Sequence, residues 1–294
     1  MRILAFATHH PVVTSRYLCN AFRRGGVDLR SVGDACGTRM NLWNREVAPE
    51  QEWVPDGPRD AWWPDWRPDL VVSFEPEPYH HPRYADVPHV VYGVDNHLYS
   101  YRQERIAHYF LAHRHGPIMP AQGDDVTWLP CGYDPVLFTP SPIPWEQRRY
   151  DVSILGTAYP HRVQLVRTLR ANLKLTMAYA TGPVFEQYRD VYHDTRISLC
   201  ASIRGDVAIR IFETGAMGCL VLSDPCHDFG DLNAQGIVVY RVAAEAVEAV
   251  RSLLAHPAEA QSLLARSQQW ARPHTWDARA QFICGWYERT YGNG

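Results

Sequence analysis

Nowhere does the chain reach the roughly 18 consecutive uncharged apolar residues that a membrane-spanning helix needs. Its amino terminus, MRILAFATHH, is too short an apolar run for a secretory signal and carries no small-residue cleavage site, so it predicts a first strand instead. The seven cysteines are scattered from Cys19 to Cys284 with no C-x-x-C pair, and an odd count without spacing argues for reduced, mostly buried thiols. These absences predict a cytoplasmic protein. No block of Lys or Arg is long enough to suggest a nucleic-acid or anionic-membrane patch, and the net charge is only −3. Lysine itself is almost missing, Lys174 being the only one.

At 294 residues the chain can make two domains that each bury a core. Its most informative stretch is Arg196 to Asp224, RISLCASIRGDVAIRIFETGAMGCLVLSD. An apolar run, Ile197 to Ala201, gives way to a polar loop, Ser202 to Val207; a helical pattern runs from Ala208 to Met217, and Leu220 to Leu222 form a second apolar run. The order predicts strand, loop, helix, strand with a short parallel crossover, and Gly218 takes the left-handed position at the helix end. In such units ligands gather at the carboxyl ends of the strands, where helix N–H groups favour phosphate. Glu213 is the odd residue: a carboxylate in about the first helical turn, among Ile209, Phe212 and Ala216, which are spaced for burial. Spacing alone leaves two readings, an acid favoured by the helix dipole or one presented to the crevice. Arg210 shares its helix face, as a phosphate clamp or as half of a surface pair.

Taken in order, Ile3 to Ala7, Arg16 to Arg24 and Val27 to Val32 predict a strand, helix, strand unit, with the helix closed by Gly25 and Gly26. His9, His10, Thr14 and Ser15 fall in its first loop, where a histidine pair reads as solvated. Between Glu50 and Pro68 the prolines erase any period, and Trp53, Trp62, Trp63 and Trp66 either pack down a long connection or wall a ligand. Leu70 to Phe74 predicts a strand with Glu75 and Glu77 at its end. Pro88 to Tyr92 predicts the next, delivering Asp95, Asn96 and His97 into a loop as crevice-lining groups or as an Asx turn. Ile106 to Ala112 fits a further strand or a helix end, and Asp124 to Leu129 a last short strand. Asp124 and Asp125 read as a turn, since no third metal ligand is near in sequence. Thr139 to Arg149, rich in proline and charge, reads as a linker.

A second alternating region opens at Tyr150 to Leu155. Gly156 then lets the backbone approach a ligand, and Arg162 at the following helix start supplies a fork for phosphate oxygens, unless it is merely exposed. Leu175 to Tyr179 and Val238 to Val239 predict strands; Val184 to Tyr192, Ala243 to Leu254 and Ala258 to Trp270 predict helices. Pro273 to Trp276 breaks the pattern before a last helix to Tyr291.

Four segments carry a family resemblance. RIFETGAMGCLVLSD is similar to the "FEA-A-G" helix of nucleotide-sugar glycosyltransferases, DVSILGTAYPHR resembles a "D-SF-G---P-R" motif, and LPCGYDPVLFTP and HTWDAR resemble two further segments of the CgeB-like branch of the group-1 transferases. The likeness is strongest over residues 126 to 280. It implies the α/β GT-B fold, two facing Rossmann-like domains at 1–140 (acceptor side) and 150–272 (donor side), with a C-terminal helix at 273–294 packing back on the first. It also implies transfer of a sugar from a nucleotide diphosphate donor to an acceptor, be it a small molecule, glycan, protein or modified nucleic acid, with neither metal nor cofactor. By resemblance Glu213 contacts the ribose hydroxyls, Gly156, Arg162 and Arg210 bind the donor, and Asp95 or His97 sits by the anomeric carbon. Many group-1 transferases carry a further glutamate where this chain has Gly205. Its sugar contact would pass to Arg204, Asp206 or backbone N–H groups.

Three rivals share these features. A phosphorylase would hold a cofactor lysine, and Lys174 at a strand start is poorly placed for it; an epimerase stays open. A binding protein that lost turnover is favoured by Gly205 and disfavoured by the retained Arg162, Arg210 and Glu213. A transferase acting on modified DNA bases is disfavoured by the near-neutral charge.

Overall fold

The apolar runs form strands buried on both faces: Ile3, Leu4, Ala5, Leu70 and Val72 have no exposed surface, the signature of a covered parallel sheet. The computed structural model describes residues 1–40, 45–74, 80–115 and 123–292 of the chain. Glu75 and Glu77 lie outside the described residues. Two units emerge, Met1–Cys131 with Trp276–Gly294, and Gly132–Thr275.

In the first unit, β1 (Arg2–Phe6), α1 (Thr14–Arg24), β2 (Asp28–Val32), a short antiparallel pair β3 (Arg39–Met40) and β4 (Arg45–Glu46), β5 (Leu70–Ser73), β6 (His89–Gly93), β7 (His108–Leu111) and β8 (Val126–Trp128) follow in order. The main sheet is parallel, in the order β2-β1-β5-β6-β7-β8, with Ile3 opposite both Leu29 and Leu70. The C-terminal helix, Trp276–Tyr291, belongs to this unit. Trp276 is wholly buried, edge-on to Tyr92 with ring centroids 5.9 Å apart. Arg279 donates to the carbonyls of Pro130 at 2.7 Å and Cys131 at 3.1 Å, and Trp286 lies against His108 and Phe110.

Several expectations for this unit change. Helix α1 begins at Thr14, so Thr14 and Ser15 belong to its first turn and not to the loop. His9 is not solvated: it is fully buried, with its ring 4.2 Å from that of Trp53, which the irregular segment folds back over it. The tryptophans mostly pack. Trp66 joins Leu4, Phe6 and Val71 in a core cluster and donates to Asp28 at 2.8 Å, while the Arg30 guanidinium covers Trp63 and Trp66 at 4.5 and 4.8 Å. Trp62 alone of the four is exposed, under Arg83. Asp125 forms an ion pair with Arg102 at 3.0 Å, in keeping with a turn.

The second unit contains β9 (Tyr150–Leu155), α2 (Pro160–Asn172), β10 (Met177–Ala180), α3 (Phe185–His193), β11 (Thr195–Cys200), α4 (Ile209–Ala216), β12 (Leu220–Ser223), β13 (Val238–Val239), α5 (Ala243–Ala255) and α6 (Pro257–Ala271). Its parallel sheet runs β10-β9-β11-β12-β13. The segment read as a linker is instead strapped into this unit. Ser141 N–H donates to Met217 O at 2.9 Å, Trp145 enters the core, and the Arg148 guanidinium bonds the carbonyls of Thr195 and Gly218. The whole segment lies within the second unit, which begins at Gly132.

Candidate functional site

At the centre of the second unit, α4 connects β11 to its parallel neighbour β12. It ends as the sequence predicts. Gly218, at φ +79°, follows the helix; its N–H bonds Gly215 O and the Cys219 N–H reaches back to Thr214 O, the paired bonds of a Schellman end. At its other end α4 begins after Ala208 with no side-chain cap and no acidic residue in its first turn. Its leading N–H groups and partial positive charge therefore favour an anion there.

The loop before α4 is fixed by two carboxylates. Asp224, just past β12, accepts from Ser202 N–H at 2.8 Å and Ser202 Oγ at 2.7 Å. Asp206 Oδ1 accepts from Ile203 N–H at 2.5 Å, closing a turn in which Arg204 and Gly205 have φ of +57° and +78°. Arg204 is exposed on this loop. A Cβ on residue 205 would lie 2.7 Å from the His227 ring, and His227 N–H donates to Gly205 O at 3.0 Å. The imidazole thus fills the space that a side chain at 205 would need.

Gly156 follows β9 with φ +114°, and a Cβ there would lie 2.6 Å from Arg210 Nη2 and 3.8 Å from Arg162 Nη1. The two guanidinium groups therefore flank one glycine at the carboxyl end of β9. Their roles differ. Arg162 is buried and donates to Ala201 O at 3.1 and 2.8 Å and to Thr157 O at 3.3 Å, so it braces the ends of β9 and β11 and is not the exposed residue that one reading allowed. Burial first, then the neighbouring Arg210 charge, holds its pKa below the usual range. Arg210 keeps Nε and Nη1 sealed from solvent without a hydrogen-bond partner. Burial works against its charge, but Tyr192, Tyr188, Cys200 and Glu213 more than offset this and hold its pKa above the usual range.

Glu213 is the fifth residue of α4, just past the first turn. With 6% of its surface exposed it is no half of a surface pair. Its Oε2 accepts from Tyr188 Oη at 2.8 Å. Burial pushes its pKa up to about 7, against the lowering effect of the Tyr188 bond and the Arg210 charge, with Asp134 adding a smaller push upward. Gly156, Arg162, Arg210 and Glu213 are thus drawn together, and Arg204 and Asp206 occupy the loop leading into the same helix.

In the first unit, Asn96 is spent on structure: its amide donates to His113 O at 2.7 Å and accepts from His113 N–H at 2.9 Å. His97 is buried with its ring 4.4 Å from that of His113. Asp95 is exposed, and its carbonyl accepts from the N–H groups of Leu98 and Tyr99, closing a backbone turn.

Tyr188, Asp224 and His227 were not among the sequence candidates. Asp224 comes one residue after an apolar run, at a strand end like the one that marked Gly156. Nothing in the pattern around Tyr188 distinguishes it from other helical aromatics.

Residues 142–285 match the family model described as glycosyl transferase-like. No curated protein matches the chain in sequence. The fold is similar to Anabaena HepE, solved with UDP and glucose (10% identity, TM-score 0.66, 96% of this chain and 98% of that one). It is also similar to AviGT4, a glycosyltransferase of avilamycin A biosynthesis (12%, TM-score 0.62, 99% and 98%). A third similar structure is the sucrose-phosphate synthase of Thermosynechococcus elongatus (12%, TM-score 0.61, 100% of each chain). At such identities the likeness shows the fold, which is α/β with two parallel sheets and helices, as in GT-B glycosyltransferases. The family match on that fold supports a glycosyltransferase. Among the described residues no helix is long and apolar enough to cross a membrane.

Proposed function

We propose that the chain moves a sugar from a nucleotide diphosphate donor to an acceptor, as a cytoplasmic member of the CgeB-like branch, with neither divalent metal nor cofactor. One observation carries the reading: Arg210 lies against Gly156 at the carboxyl end of β9, on the helix that also holds buried Glu213. Departure of a nucleoside diphosphate leaves negative charge on its oxygens, and a preorganised guanidinium with uncapped helix N–H groups stabilises that charge. Arg210 supplies the fork and Arg162 keeps the cradle in shape. Glu213 accepts hydrogen bonds from the ribose hydroxyls, so it reads the nucleoside. Arg204 and Asp206 meet the sugar. The second unit is then the donor side and the first the acceptor side, where Asp95 or His97 supports transfer. HepE, solved with UDP and glucose, supports a nucleotide sugar as ligand.

The test is a thermal-shift screen of UDP-, GDP- and ADP-sugars in EDTA, followed by turnover or slow hydrolysis of the selected donor. Stabilisation by a nucleotide sugar in chelator with release of nucleoside diphosphate is expected. Absence of binding to every donor, or binding that needs added manganese, would overturn it.

A further inference from the structure

The carboxylate of Glu213 is not presented symmetrically. Oε2 is taken by Tyr188 Oη at 2.8 Å, while Oε1 has no hydrogen-bond partner among the described residues. Tyr188 sits on α3, a different element from the glutamate it holds. Its ring is fixed edge-on by Phe138 at 5.8 Å and Tyr192 at 4.7 Å. Tyr192 is itself wholly buried, and its hydroxyl accepts the Leu155 N–H at the end of β9. The phenol is therefore anchored to the same strand end that carries Gly156.

We propose that Tyr188 is a positioning residue for nucleoside recognition: by donating to Oε2 it fixes the carboxylate so that Oε1, the oxygen without a protein partner among the described residues, is the one turned to the ribose. The inference rests on the assignment of Glu213 to the ribose. The Tyr188 bond occupies one acceptor site of Oε2 and sets the direction of the carboxylate plane, so Oε1 keeps both of its acceptor sites for the ligand. When the glutamate takes up a proton, that proton goes to Oε1, which then becomes a donor where the ribose hydroxyls need an acceptor. The groups that act on this equilibrium are Tyr188 from α3, Arg210 from α4, which both favour the anion, and Asp134 from the segment before β9, which opposes it. Burial drives the phenol pKa well above its ordinary value, with the Glu213 charge adding to it, so Tyr188 keeps the proton that it donates to the ionised carboxylate.

The test titrates UDP, GDP and ADP, each beside its 2′,3′-dideoxy counterpart, into the full chain by calorimetry from pH 6 to 9. In Y188F the ribose form is expected to bind several-fold more weakly at pH 7 and nearly as the parent does at pH 9, with the pH midpoint moved upward and the dideoxy form unchanged. Incorporation of 3-fluorotyrosine at 188 keeps the ring's shape and makes a stronger donor; it should move the midpoint downward, and it decides the matter if Y188F does not fold. In an E213A background neither change should have an effect. If E213A itself keeps the parental preference for ribose, the assignment of Glu213 falls. If E213A loses that preference but Y188F and the fluorotyrosine protein keep the parental midpoint, Tyr188 is packing alone and this proposal falls by itself.

Discussion

Gly156 and Arg210 contest one space: a Cβ on residue 156 would lie 2.6 Å from Arg210 Nη2. The backbone there is at φ +114°, a conformation that side chains rarely adopt, so two costs meet at one position. Gly156→Ala should destabilise the chain by about 1–3 kcal/mol. It should also weaken UDP binding more than uridine binding, because the displaced group is the guanidinium and not the ribose acceptor. Denaturant unfolding and calorimetry read the two effects separately. UDP affinity equal to the parent's would mean that Arg210 can move aside without loss.

A pH dependence follows from Glu213. Its pKa in the folded chain is about 7 against an ordinary 4.5, so between those values the folded chain holds a proton that the unfolded chain has released. Stability from this group is fully present below pH 4.5 and is lost as pH rises through 7. The change is on the order of 3 kcal/mol. Glu213→Gln removes it, so the difference in unfolding free energy between parent and variant should grow across that window and level off above it. A difference that stays constant from pH 4 to 8 would show an ordinary carboxyl.

Gly205 and His227 give a second close approach with a separable outcome. Gly205→Ala should cost stability both through φ +78° and through the 2.7 Å approach to the imidazole. Adding His227→Ala should recover the steric part and leave about 1 kcal/mol of backbone cost. Additive losses in the double variant, measured by denaturant unfolding, would show that the ring already yields.

The alternation of apolar runs and helical periods made nearly every strand and helix legible, because parallel strands buried on both faces read as unbroken apolar runs. The linker at 139–149 misled for the opposite reason: prolines and charges look solvated until Arg148 and Trp145 are seen docked on distant carbonyls and side chains. Gly156 stood out because glycine after a strand has a physical meaning in sequence, and Arg210 because its spacing from Glu213 puts the two on one helix face. Tyr188 had none, since its partner Glu213 comes from another helix and only tertiary packing brings them together. Arg162 was legible as a residue of interest but not as a brace, because the carbonyls of Ala201 and Thr157 that it binds leave no mark in the sequence.

The sharpest division of labour is between Arg210 and Glu213. Arg210 keeps Nε and Nη1 buried without protein partners, while Glu213 keeps Oε1, so one holds unspent donors and the other an unspent acceptor. Diphosphate oxygens only accept hydrogen bonds and ribose hydroxyls can donate, so each group has one natural partner on a nucleotide. Arg210→Ala should therefore weaken UDP by about 1.5–3 kcal/mol while leaving uridine nearly unchanged. Glu213→Ala should weaken both by a similar amount and erase the preference for ribose over dideoxyribose. Arg210→Lys should restore part of the UDP loss, since it keeps the charge but not the planar fork. All of these differences should persist in EDTA. Calorimetric titration of the three variants with UDP, uridine and 2′,3′-dideoxy-UDP makes the check. If Arg210→Ala lost uridine and UDP equally, the arginine would be holding α4 in place, and the charge on the leaving diphosphate would need another partner.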